Sequence, residues 1–291
     1  MRVTFAAGVA MLTAFGLVPA FGVFAISFTD IRGLPGIPIH WVGVANYTDL
    51  FSSAHLTDNI NALKHTLLFA GASTLVEIVV AFGIALLLNQ KLRGRNLYRA
   101  IVFMPTVLGV TVIGFIWSLV FAPNNGPAAT VLSSFGRTSA FFGDPRITLW
   151  LVIFVQIWLA IGVTLVIFLA GLQAIPEELY EVANIDGANA WQRMRHVTVP
   201  MLAPSLTANV LLGLVASLQS YQLIYVLTGP LNRATQVLSL QMYEQAFGGA
   251  FGTSISQSQG YAAAISMVQF VIVGVAAFAA LAYLRRREAR L

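Results

Sequence analysis

Three groups of side chains in this sequence have the types and spacing to do chemistry. The first is acidic: Glu177, Glu178, Glu181 and Asp186 lie in one short run, which offers charge-assisted contacts to another molecule. The second is neutral and polar. Asn209, Gly213, Ser217 and Ser220 recur at intervals of four, four and three residues, so a helix puts them on one face. Gln219, Tyr221 and Gln222 lie near the end of that face, and Gln156 stands alone among apolar neighbours with Ala160 and Val163 on its own helical face. Neutral hydrogen-bonding groups beside an aromatic suit a polyhydroxylated solute. Small and hydroxyl residues are equally the material of helix–helix interfaces in membranes, and both readings stand for the serines and glycine. An unpaired buried amide is costly, which favours a functional place for Gln156. The third group is Glu77, a single carboxylate inside an apolar run. Such a group is a functional candidate by default, able to hold a proton, pair with a cation of a neighbouring chain or touch solute.

Other chemistries are missing. His40, His55, His65 and His196 are scattered without metal-ligand spacing, and cysteine is absent, which removes disulfides and thiolate metal sites. No nucleophile–base pair stands within the apolar runs. The sequence lacks Gly-x-x-x-x-Gly-Lys-Ser/Thr, so it does not cradle ATP phosphates itself. The net charge of +5 comes without a basic stripe of interleaved aromatics, so no nucleic acid partner is expected.

The acidic residues need an element to present them, and the segment 175–200 supplies two short helices. Pro176 suits a first helical position, and Glu177 and Glu178 fall in the first turn, where the helix dipole favours them. Leu179, Val182, Ala183 and Ile185 give an apolar face, and Gly187 suits a left-handed C′ position. Asn189 then caps a second helix, with Gln192 in the capping-box position. That helix carries Trp191, Met194 and Val197 and stops by Pro200. A hairpin resting on lipid headgroups is the bland alternative, but such helices are rich in Lys and Arg. An acidic one reads as a docking knob for a soluble partner.

The remaining elements follow from composition: of 291 residues, 58% are hydrophobic and 9% charged, against about 25% charged in soluble domains. Six apolar runs approach or pass the length that crosses a bilayer as a helix, at 5–28, 62–88, 100–121, 147–172, 201–227 and 261–284. They are continuous rather than alternating, which excludes barrel strands. Arg2 and Val23-Phe24-Ala25 have the outline of a signal peptide, but the run is long for a signal core. Lys91, Arg93, Arg95, Arg99, Arg193, Arg195, Arg285, Arg286, Arg287, Arg290 and Arg2 fall on one side of these spans, eleven of the sixteen cations. Positive residues stay inside, so both termini are expected in the cytoplasm. Lysine is scarce beside arginine, as in GC-rich bacterial genomes. The sequon at Asn46-Tyr47-Thr48 reads as chance in a bacterial membrane loop.

The run Glu181-Val182-Ala183-Asn184-Ile185-Asp186-Gly187-Ala188, followed by Val197-Thr198-Val199-Pro200, resembles the EAA loop of binding-protein-dependent ABC importer permeases. Val182 replaces the first Ala of that pattern, and Val197 and Val199 replace its Ile and Leu. The segment 82–121, with Leu86-Leu87-Leu88-Asn89 and Leu92-Arg93-Gly94-Arg95, is similar to the sugar branch of the family, as are Trp41 to Tyr47 and Tyr225 to Pro230. The chain resembles the first of the two maltose-type permease subunits. The Gly- and Ser-rich stretch 248–259 is longer than the family pattern.

The resemblance implies an all-α membrane protein with six transmembrane helices and the type I ABC importer permease fold. Residues 1–29 would form a peripheral first helix, 30–61 an external loop, 62–284 a five-helix core carrying the coupling loop 175–200, and 285–291 a basic cytoplasmic tail. It implies a multi-pass protein of the bacterial inner membrane that is not itself an enzyme. Expected partners are a second permease subunit, an ATP-binding subunit dimer holding ATP and Mg, an extracytoplasmic solute-binding protein, membrane lipid and a sugar. Coupling to the ATPase would fall to Glu178, Glu181, Ala183, Asp186, Gly187 and Ala188, and the solute path to Gln156, Ala160, Val163, Ser217, Ser220 and Tyr221. A glycerol phosphate would call for cations lining the path, and none lies deeper in a span than Lys64 at the start of the second, so a neutral solute is preferred; an amino-sugar derivative is a further alternative. An ion-coupled secondary transporter is the rival class, which needs coupling groups, broken helices or an inverted repeat.

Overall fold

The computed structural model describes residues 2–34, 36–90, 92–248 and 258–288. Lys91, Arg290 and, within the stretch 248–259, residues 249–257 lie outside the described residues. Helices follow in the order α1 (Arg2–Leu12), α2 (Val18–Ile26), α3 (Ala45–Leu50), α4 (Leu56–Leu88), α5 (Arg95–Val107), α6 (Val110–Val120), α7 (Pro127–Ser134) and α8 (Thr148–Gln173). Then come α9 (Glu177–Ile185), α10 (Ala190–Arg193), α11 (Val199–Met201), α12 (Ala203–Leu218), α13 (Gln222–Thr228), α14 (Leu238–Phe247) and α15 (Gln259–Glu288). Among the described residues the only extended pairing is an isolated antiparallel bridge between Thr29 and Trp41.

Four stretches are long and apolar enough to cross a bilayer unbroken: Ala7–Ile26, Leu56–Leu88, Thr148–Gln173 and Gln259–Arg286. Two bent pairs add to them, Arg95–Val107 with Val110–Val120 at 102° and Ala190–Met201 with Ala203–Leu218 at 64°. Counting each pair as one span gives six. The spans expected at 100–121 and 201–227 are both interrupted. In the first, Leu108 and Gly109 adopt extended backbone, with ψ of 141° and 144°. Pro105 removes a donor one turn ahead and weakens the helix there. In the second, α12 ends at Leu218 and α13 begins at Gln222. Just before that break the Ser217 hydroxyl donates to Gly213 O at 2.7 Å and Leu214 O at 3.1 Å, back-bonding that loosens a helix.

The chain divides into two compact units, Met1–His65 with Gly229–Ile272 and Thr66–Thr228 with Val273–Leu291. In the first, the turn after α2 is held by Asn46, whose amide donates to Ser27 O and Thr29 O at 2.9 Å each. Phe28 stacks on Trp41 at 5.4 Å between ring centroids. The sequon asparagine is thus engaged with backbone carbonyls. Gly260 meets this turn so closely that a Cβ would lie 1.9 Å from Thr29 O. Leu50, Tyr261, Ala264 and Ile265 form a buried apolar cluster in this unit. Beside it Asn59 donates to Leu50 O at 2.8 Å and accepts from Gln241 Nε2 at 2.6 Å. On α14, Glu244 Oε2 accepts from Gln236 Nε2 at 3.2 Å, while among the described residues its Oε1 is buried without a partner. Burial pushes this carboxyl up to about 7, and the Gln236 hydrogen bond opposes the shift.

In the second unit Ala81, Ala85 and Leu88 of α4 pack on Ile161, Leu165, Phe168, Leu169 and Leu172 of α8, with Ile175 and Leu202. Lipid tails are as apolar as leucine, so close approach through small residues holds such helices together. A Cβ on Gly162 would lie 2.9 Å from Phe103 Cα, and one on Gly171 would lie 2.2 Å from Ser205 Oγ. At the end of α4 the Arg99 guanidinium donates to Leu88 O at 3.3 Å, satisfying a terminal carbonyl.

Candidate functional site

The acidic segment folds as an elbow whose geometry is set by local backbone chemistry. Pro176 is the N-cap of α9, with φ −60° and ψ 135°, one position earlier than expected; proline's fixed φ serves the cap, and Glu177 takes the first helical place. The helix closes on Asp186, and Gly187 follows at φ +73°. Ala188 N–H donates to Ala183 O at 2.9 Å and Gly187 N–H to Asn184 O at 3.1 Å, the paired bonds of a Schellman ending. Asn189 and Gln192 form the expected capping box, with reciprocal bonds of 2.9 and 2.8 Å.

The helix after Asn189 does not stop by Pro200, as its sequence suggested. A widened π turn at Met194–Thr198, in which Val199 N–H reaches back to Met194 O, carries it through Pro200 to Met201. The wider turn accommodates a residue that lacks a donor. The bend into α12 falls at Leu202.

Two ties lock the arms of the elbow. Arg193 donates to Asn184 Oδ1, and the Tyr180 and Thr198 hydroxyls are 3.0 Å apart. Between the arms lies a groove of about 500 Å³ lined by Ala183, Asp186 and Ala188 with Arg193, His196 and Val197, among others. Glu178 and Glu181 are exposed beside it, as are Ile185 at 85% and Trp191 at 64%. Arg193, Tyr180 and Thr198 were missed in the sequence, where nothing in their spacing announces a tie. A rigid, exposed element with carboxylates and large apolar side chains is suited to grip by a partner.

The polar residues of the spans are brought together in part. Ser220 Oγ donates to Gln156 Oε1 at 3.5 Å. Ser217, 4% exposed, lies 3.1 Å from the Thr74 hydroxyl. Ala160 and Tyr221 are half-buried, and Val163 is half-exposed on α8. Ser220 and Tyr221 occupy the break after α12 rather than its face. Glu77, 5% exposed, accepts from Thr164 Oγ1 at 2.5 Å, and among the described residues no ion pair includes it. The Asn209 amide donates to Thr164 O at 3.3 Å. Thr74 and Thr164 are the members sequence reasoning missed.

Apolar helices long enough to cross a bilayer, two bent pairs and an exposed acidic elbow are the build of a multi-pass membrane protein. Residues 77–290 match the family described as binding-protein-dependent transport system inner membrane component, and the chain belongs to that family. The resemblance drawn from the Glu181–Ala188 run is borne out. A probable ABC transporter permease protein of Pyrococcus horikoshii is 35% identical over 263 residues, covering 84% of this chain and 87% of that one. The trehalose/maltose transport system permease protein of Thermococcus litoralis is 31% identical over 267 residues, covering 90% of this chain and 86% of the relative. A chain in the crystal structure of a bacterial ABC transporter involved in the import of the acidic polysaccharide alginate has a TM-score of 0.82, covers 98% of this chain and 94% of that one, and is 24% identical. The fold is that of a type I ABC importer permease.

Proposed function

We propose that this chain is the permease subunit that carries a sugar or oligosaccharide inward across the bacterial inner membrane, with the elbow at 175–200 docked on a separate ATPase. The observation that carries this reading is the elbow, stiffened at four points and exposing Glu178, Glu181, Ile185 and Trp191 beside a groove. Such a body transmits displacement without deforming, so closure of an ATPase dimer moves the attached α12. ATP and Mg belong to that partner, and the permease itself catalyses no reaction. A second permease completes the pathway, and an extracytoplasmic binding protein delivers solute. The chain runs as a peripheral helix at 1–29, an external loop at 30–61, a core at 62–284 and a tail at 285–291, with both termini cytoplasmic. Gln156, Ser220 and Tyr221, with Ala160, Val163 and Ser217, serve the solute path; the names of sugar-transporting relatives support a polyhydroxylated cargo.

The test is reconstitution in proteoliposomes with the ATPase, second permease and binding protein, scoring ATPase stimulation by neutral oligosaccharides, N-acetylated disaccharides and glycerol phosphate. Because the chain has no cysteine, Ile185→Cys also provides a single cross-linking handle. Stimulation by a neutral sugar with Ile185 cross-linked to the ATPase is expected. An assembly without an ATP-hydrolysing partner on 175–200 sinks the docking reading; stimulation by the phosphate alone sinks the sugar.

A further inference from the structure

Polar side chains of α4, α8 and α12, with Ser220 just past the end of α12, form a seam in three tiers, and one of the end tiers is built on Glu77. There Thr164 Oγ1 donates to Glu77 Oε1 at 2.5 Å and Asn209 Nδ2 donates to Thr164 O at 3.3 Å. The three residues are 5%, 5% and 1% exposed. The middle tier is Thr74 with Ser217, at 3.1 Å; Gly213 backs onto the same threonine, where a Cβ would lie 3.3 Å from Thr74 Cγ2. The far tier is Gln156 with Ser220, at 3.5 Å. The order agrees on every helix: Thr74 precedes Glu77 on α4, Gln156 precedes Thr164 on α8, and Ser217 follows Asn209 on the antiparallel α12. Sliding or turning α4 by a residue breaks the Glu77 and Thr74 tiers together, and moving α8 breaks the Glu77 and Gln156 tiers together. Apolar faces alone do not impose this, because one Leu or Ile knob replaces another at little cost. Buried polar pairs that fix register are their best-attested use.

We propose that Glu77 is a positioning residue for the transport path: through Thr164 it sets the register of α8 against α4 and α12, and so holds Gln156 opposite Ser220. The inference rests on reading Gln156 and Ser220 as solute contacts. Glu77 lies two tiers away and acts on the path only through the helices it joins. Thr164 Oγ1 donates to a carboxyl oxygen of Glu77, and the amide of Glu77→Gln keeps such an acceptor.

The cysteine-free chain permits a direct test in the reconstituted importer. Gln156→Cys and Ser220→Cys are paired and treated with a short bifunctional thiol reagent, alone and with Glu77→Gln, Glu77→Leu or Thr164→Val. Uptake kinetics are measured for the same three substitutions without the cysteines. The pair should cross-link in the parent and with Glu77→Gln. Glu77→Leu and Thr164→Val should each reduce cross-linking at least about threefold, the weight of one interhelical hydrogen bond, and raise KM for solute by a similar factor with kcat less affected. Unchanged cross-linking and KM in both variants overturn the proposal, as does lower yield with unchanged cross-linking, which marks a merely structural role. If Glu77→Leu does not insert, Thr164→Val decides alone. Cross-linking reports register whatever the cargo: a lost cross-link with unmoved KM leaves Glu77 in place and refutes the solute reading of Gln156 and Ser220.

Discussion

Gly187 offers the sharpest test of the elbow as a lever. It sits at φ +73°, and a Cβ there would meet nothing within 4 Å, so the whole cost of a side chain is borne by the backbone. Left-handed backbone costs a residue with a Cβ about 1–2 kcal/mol, more when β-branched, while asparagine is among the residues enriched there. Escaping the strain by refolding the turn gives up the bonds from Gly187 and Ala188 to Asn184 and Ala183, at about 0.5–1.5 kcal/mol each. The strain lowers the ratio of native to refolded elbow by about five- to thirtyfold. No span changes, so insertion is unaffected. The assay is solute moved per ATP hydrolysed in the reconstituted importer. The expected order is wild type, Gly187→Asn, Gly187→Ala, Gly187→Val, although asparagine is bulkier than alanine. Were side-chain volume against a docked partner the cause, alanine would outperform asparagine, and that result would refute the backbone argument. Wild-type coupling by Gly187→Val would refute the lever.

Two further predictions concern stability. Glu244 titrates near 7 in the fold against 4.5 as a free group, so between those values the folded chain holds a proton that the unfolded chain has released. Its contribution to stability is therefore complete below about 4.5, declines as pH rises toward 7 and is level above. The Tm in detergent should fall across that window, and Glu244→Gln should remove this part of the slope; an unchanged slope in the variant counts against it. In the core, a Cβ on Gly162 meets backbone atoms of α5, Phe103 Cα at 2.9 Å and Val102 O at 3.1 Å, so Gly162→Ala should cost about 1–3 kcal/mol. Gly213→Ala meets only the side chain of Thr74, its methyl nearest at 3.3 Å, which can give slightly. Equal loss of Tm from the two substitutions would contradict the close crossing of α5 and α8.

What was legible in the sequence divides by the range of the interaction that decides it. Gly187, Asn189 and Gln192 were readable because a C-cap and a capping box are settled within four residues of chain. The apolar runs were readable because hydrocarbon thickness is a constraint on length alone. The breaks were not. Pro105 and Gly109 were visible inside the third run, but proline in a membrane helix is tolerated when neighbouring groups satisfy the freed carbonyls, so its presence does not say whether the helix bends. Ser217 was placed on a polar face by its spacing, yet the helix ends one residue later, removing Ser220 from that face. Family membership separates this chain from secondary transporters. Thr164 was silent for another reason: a threonine hydroxyl in an apolar run can satisfy itself on its own helix, so composition does not call for a partner. It gained one only when α4 brought a carboxyl and α12 an amide to the same residue. The seam is therefore a property of three helices together, and its strongest sequence signal, Glu77, pointed to a function without showing which residues would share it.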